Sequence, residues 1–150
     1  MTDDGGVWVK IDGENVQGKI LQVVRATDGT NRATSSTSFA DASISVSITP
    51  IATNSSVLLA WAFTATGAAD TVFRVQITDA SNNPISGAES SSFRASTGGI
   101  LDLSTTQLAY ATPATTSSVT YKGRFLTDAG VVTLLNTTQT GQLFAIEVAA

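Results

Sequence analysis

Residues Ile20 to Thr64 read ILQVVRATDGTNRATSSTSFADASISVSITPIATNSSVLLAWAFT, and this stretch carries three strand signals of different kinds. In the first, Ile20, Gln22 and Val24 oppose Leu21, Val23 and Arg25, which predicts a strand buried on one face and partly on the other. Ala26 to Phe39 then reads as a polar connection containing Asp28-Gly29 and Asn31. In the second, Ile44, Val46 and Ile48 alternate strictly with Ser43, Ser45 and Ser47, the pattern of a strand with one face on a core, and Pro50 ends its pairing. The third, Val57 to Phe63, is apolar at every position. An outer face of an antiparallel sandwich ordinarily meets water and alternates, so both faces of this strand need cover. The opposing sheet covers one. An apolar outer face rimmed by Ser and Thr points to a subunit interface, with Leu58, Ala60 and Ala62 as its residues. A loop of the same chain over that face is the alternative.

Outward from this stretch the strand pattern continues. Phe73, Val75 and Ile77 alternate with Arg74, Gln76 and Thr78, and Ser81-Asn82-Asn83-Pro84 makes a turn. Ile85 to Gly99 is Ser- and Gly-rich around Phe93, a weak edge strand or a loop. Leu101 and Leu103, then Leu108 and Tyr110, form short strand candidates separated by Ser104-Thr105-Thr106. Tyr121, Gly123 and Phe125 oppose Lys122 and Arg124, and Asp128-Ala129-Gly130 turns the chain into Val131 to Leu135. In the last strand, Leu143 to Val148, the pattern places Phe144, Ile146 and Val148 inward. Strands at this spacing predict an all-β chain, an antiparallel β-sandwich with a jelly-roll-like cadence. Residues 1–18 differ in being acidic and Gly-rich, with Val7, Val9 and Ile11 alternating against Trp8, Lys10 and Asp12. They read as a short N-terminal arm or a first strand, and 19–150 as the sandwich domain.

The chain has 150 residues, 42% hydrophobic and 13% charged, a balance that argues against disorder. Net charge is −4 and the eight Lys and Arg are scattered, so no basic stripe exists to neutralise phosphates and no nucleic-acid partner is expected. MTDDGG is unlike a secretory leader, and no apolar run has the length of a membrane-spanning helix. With no His and no Cys, the common general base and the thiol nucleophile are both missing, and no Ser sits in a Gly-x-Ser-x-Gly elbow. No enzyme activity and no cofactor are expected. Asp3, Asp4, Asp12 and Glu14 lack calcium-loop spacing and read as solvated turn acids, so no metal site is expected either. Asn54-Ser55-Ser56 and Asn136-Thr137-Thr138 match the glycosylation pattern but read as chance in a Thr-rich chain. Arg25, Arg74 and Arg124 fall at outward strand positions, where they could pair across strands with acids such as Asp70 and Asp102 or cross a subunit boundary.

The ordered series ILQVV-x-AT (Ile20 to Thr27), TSF-x-D (Thr37 to Asp41), S-x-SITP (Ser45 to Pro50) and S-x-VL (Ser55 to Leu58) resembles that of a family of bacteriophage virion proteins with small β-domains. Val119-Thr120-Tyr121-Lys122 and the closing Gln142 to Val148 are similar to the family's last strands, whereas Thr66 to Ser117 is less familiar. The resemblance implies a jelly-roll-like sandwich that forms a homotrimer and resides on the outer surface of a virion made in the bacterial cytoplasm. Two roles follow from it. One is a capsid decoration (cement) protein bound to the major capsid protein. The other is a head or tail fibre domain that contacts a host-surface receptor or glycan. The short chain favours decoration, because fibre proteins carry longer attachment and shaft regions. Val7, Trp8, Val9 and Ile11 are then the expected capsid-binding arm, adding a strand to a capsid subunit.

Overall fold

The computed structural model describes residues 18–95, 98–99 and 101–150, and in these the chain is all-β. Its strands are β1 (Ile20–Asp28), β2 (Arg32–Thr34), β3 (Ala40–Ile48), β4 (Ser56–Gly67), β5 (Val72–Asp79), β6 (Ser91–Arg94), β7 (Leu101–Ala111), β8 (Val119–Thr127), β9 (Val132–Leu134) and β10 (Gly141–Val148). The long central strand β4 pairs with β7 along one edge. Along the other edge it pairs first with β10 and then with β9. β1 and β2 flank β10 and β9 in turn. The second sheet runs β3-β8-β5-β6, and every pairing is antiparallel. With β1/β2 and β9/β10 each taken as one bent strand, the order β1-β10-β4-β7 against β3-β8-β5-β6 is that of a jelly roll.

The strict alternation of Ile44 to Ile48 becomes β3, with Ile44, Val46 and Ile48 buried and Ser45 and Ser47 exposed. Above it, Asp41 faces Arg124 and Ser45 faces Lys122, so Ala42, Ser43 and Ile44 together stand opposite Gly123. This bulge puts Ser43 at φ 57°, where the Asp41 carboxylate accepts its backbone N–H at 2.7 Å. Gly123 has a steric reason. A Cβ there would lie 2.9 Å from the Trp61 ring and 3.0 Å from Ile44. Trp61 therefore reaches across the sandwich and rests on bare backbone of the other sheet. From it an aromatic chain continues through Phe63 (4.8 Å between ring centroids), Phe73 (5.8 Å) and Phe125 (6.5 Å). The Phe63–Phe73 and Phe73–Phe125 pairs are edge-to-face, and pairs of this kind each contribute about 0.5–1.5 kcal/mol beyond area burial.

Two local expectations change and a third is decided. The polar connection after β1 contains β2, because Asp28 turns the chain sharply back onto the sheet. Its carboxylate accepts from Thr30 N–H (3.0 Å), Arg32 Nε (2.8 Å) and Asn136 Nδ2 (3.0 Å). The Arg32 hydrogen bond, working against burial, holds its pKa below the ordinary carboxylate value. Leu101 to Tyr110 is one strand, since Ser104 and Thr106 occupy outward positions and interrupt only the apolar pattern. Within Ile85 to Ala95 the short edge strand β6 forms, the first of the two readings the sequence offered there.

Candidate functional site

The expected interface residues Leu58, Ala60 and Ala62 all point to the outer side of β4, opposite the buried Val57, Leu59, Trp61 and Phe63. Register fixes their neighbours. One row across the sheet is Val23, Ile146, Leu58 and Tyr110, and the next is Arg25, Phe144, Ala60 and Leu108. The row above begins with Ile20 and Val148 and ends at Ser56. The row below is Thr27, Gln142, Ala62 and Thr106. Neighbouring strands lie about 4.8 Å apart, so the two central rows form a largely apolar face four strands wide, bordered by Ser56 on one side and by Thr27, Gln142 and Thr106 on the other. Ile20, Val23, Leu108 and Tyr110 are each more than half exposed. Arg25 is the charged residue of the two central rows, and it turns along the sheet to hydrogen-bond Gln142 (3.3 Å).

The other sheet is built differently on its outside. Across β3, β8 and β5 the outward residues are Ser45, Lys122 and Thr78, then Asp41, Arg124 and Gln76. Asp41, Gln76, Thr78 and Arg124 among them engage one another or nearby backbone, as do Ser47 and Thr120 beside them. Ser47 and Thr120 share a hydrogen bond of 2.7 Å, Gln76 donates to the Glu89 carbonyl (3.1 Å), and Arg124 donates to Gln76 and to the Phe39 carbonyl.

The orientation of β10 reverses the sequence expectation. Leu143, Ala145 and Glu147 face the interior, and Phe144, Ile146 and Val148 face outward. The cause is Glu147, which is fully buried and takes an inward place that the sequence pattern assigned to apolar residues. Its carboxylate accepts hydrogen bonds from Gln22 Nε2 (2.6 Å), the Ser55 hydroxyl, Ile51 N–H (2.8 Å) and Ala52 N–H (3.4 Å). Gln22 also donates to the Thr49 carbonyl (2.7 Å). Burial pushes the Glu147 pKa up, but these donors outweigh it and hold it below the ordinary value. A buried anion thus ties β1, β10 and the β3–β4 connection together, and in doing so sends Phe144 and Ile146 to the surface.

The arm residues Val7, Trp8, Val9 and Ile11, and the acids Asp3, Asp4, Asp12 and Glu14, lie outside the described residues. Just after them, Gly18 N–H donates to the Ala149 carbonyl (2.9 Å) and extends the β1–β10 ladder. Asn136 is 3% exposed and hydrogen-bonded to Asp28 and the Thr30 carbonyl, so folding closes that acceptor sequence to glycosylation. Asp70 and Asp102 are not the partners of Arg25 or Arg124; the ion pair formed among the described residues joins Arg32 to Asp28. Neither a protein-family model nor a curated protein sequence matches the chain.

Proposed function

We propose that the protein is a non-enzymatic structural component of a bacteriophage virion, a capsid decoration (cement) protein that assembles as a homotrimer and binds the outer capsid surface. The observation that carries this reading is the apolar outer face of β1-β10-β4-β7. A monomer rarely leaves a contiguous apolar surface of this kind in water, and cover by further copies removes it. A closed trimer buries the face on every copy and leaves no repeating contact for open-ended growth. The phage assignment is supported by the ordered series from Ile20 to Leu58 and its counterparts near the C-terminus.

In this reading the trimer sets three arms, residues 1–18, around one axis. Val7, Trp8, Val9 and Ile11 of each add to capsid subunits, and three weak attachments on one particle act together. The shell is stabilised by bridging neighbouring subunits against internal pressure.

The test mixes the purified full chain with expanded, undecorated capsids and measures co-sedimentation. Saturable binding with a fixed number of trimers per capsid is expected. Absence of capsid binding together with binding to host cells would move the same trimer to a fibre role.

A further inference from the structure

At the end of the sandwich where β3 runs into β4, an open groove of about 580 Å³ lies between the turn after β5 and the β7–β8 connection. Its size is that of a small-ligand site. The chain has two tyrosines, and both line this groove. Tyr121 is an inward residue of β8 with 3% exposure, so its ring closes the core while lining the groove floor. No described residue hydrogen-bonds its hydroxyl. Burial, and then the charge of Asp79, raise the pKa of that hydroxyl, which keeps it a neutral donor. Tyr110 stands half exposed at the end of β7.

The walls are pre-formed. The Asp79 carboxylate accepts from the backbone N–H groups of Ser81 (2.8 Å) and Asn83 (2.9 Å) and from Asn83 Nδ2 (2.9 Å), which fixes the turn. Its hydrogen bond with the Asn83 side chain, foremost, keeps it ionised. Tyr110 N–H donates to the Ser86 carbonyl (3.0 Å) and joins the two walls. Pro84 and Pro113 restrict the backbone of each wall. Ser81, Ser86, Thr112 and Ser118 add exposed hydroxyls that are not engaged among the described residues.

We propose that this groove binds a neutral saccharide, stacked on Tyr110 and hydrogen-bonded to the Tyr121 hydroxyl, Asp79 and the wall hydroxyls. A pyranose has one face of C–H bonds and a rim of hydroxyls. A tyrosine ring offers the first a flat, electron-rich surface at low entropic cost, and hydroxyl and carboxylate groups pair the second. No Lys or Arg lines the groove, so it lacks the cation that a phosphate or an acidic sugar requires. Rigid walls mean that little ordering opposes binding.

The test uses the full chain with ¹³C-labelled tyrosine, whose spectrum contains two residues. Glucose, galactose, mannose, N-acetylglucosamine and their β-linked disaccharides are titrated to concentrations on the order of 100 mM, where even weak binding saturates. At least one sugar should shift both tyrosines. Tyr110→Ala, an outward position, should weaken binding about five- to tenfold. Tyr121→Phe, which keeps the ring, should weaken it about fivefold through the lost hydroxyl. Inorganic phosphate serves as the anionic probe. The proposal is overturned if no sugar moves either resonance, if phosphate alone does, or if both variants bind as the parent does. Tyr110 ends the Val23-Ile146-Leu58 row of the outer face, so the titration is repeated on the Leu58→Asp variant, in which that face is uncovered. Tyr121 points inward and reports on the groove in both proteins, and a Tyr121 resonance that no sugar moves in either one overturns the proposal whatever the assembly state.

Discussion

On its outer side β4 carries Leu58, Ala60 and Ala62, flanked by Phe144, Ile146 and Leu108, whereas β3 in the opposite sheet carries Ser45 and Ser47 beside Thr120 and Lys122. The inner sides of the same strands are alike: Val57, Leu59, Trp61 and Phe63 meet Ile44, Val46 and Ile48. Folding alone requires only the inner match. The difference between the outer sides is therefore surplus to what folding requires. One sheet carries polar groups on its outer side and the other a largely apolar set.

The comparison breaks first from the inside. Trp61 fills the space left by the missing Cβ of Gly123, so Trp61→Ala opens a cavity and should cost about 3–5 kcal/mol of folding stability, measured by urea denaturation. Gly123→Ala asks the same ring to move and should cost about 1–3 kcal/mol. Both lower stability without regard to which sheet's outer side is covered.

The next effect separates the two outer sides. Leu58→Asp or Ile146→Lys places a charge in the apolar face and should weaken self-association by more than about 100-fold, read by sedimentation, while the far-ultraviolet circular dichroism stays unchanged. Ser45→Asp, the matched change on the other sheet, should leave association and stability within about 0.5 kcal/mol of the parent. A loss of association from Ser45→Asp equal to that from Leu58→Asp would remove the distinction between the sheets.

Acid gives a smaller and graded effect. The folded pKa of Glu147 lies below its ordinary value near 4.5, so its contribution to stability is fully present above that value and is lost as pH falls through the folded pKa. Asp28 and Asp79 shift in the same direction and add to the trend. The urea midpoint should fall below about pH 4.5. Glu147→Gln should lower stability at pH 7 by about 1–3 kcal/mol and make the pH profile shallower without abolishing it.

The alternation of Ile44 to Ile48 and the unbroken apolar run Val57 to Phe63 were legible because each is set by neighbours along the chain. The outward set Leu58, Ala60 and Ala62 followed from that run. The rest of the apolar face was not legible, for a physical reason. Leu143 to Val148 offers two apolar sides, and the choice between them is made by Glu147, whose partners Gln22, Ile51, Ala52 and Ser55 lie roughly a hundred residues away. A Glu on a strand ordinarily reads as an outward residue, and here the donors that let it stay inside are assembled only by the fold. The tyrosine groove escaped notice in the same way, since Tyr110 and Tyr121 gave separate strand signals and meet Asp79 and Pro84 only at the sandwich end. β2 and β9, three residues each, are too short for any periodic signal and depend on the corner held by Asp28 and Asn136.

The central claim is that the outer face of β1-β10-β4-β7 is covered by other copies of the same chain. Sedimentation equilibrium of the full chain, beside the Leu58→Asp variant, measures this directly. The account predicts a particle of three times the 15.4 kDa chain mass for the parent and a folded single chain for the variant. A parent that remains a single chain at micromolar concentration, or a variant that assembles as the parent does, would contradict it.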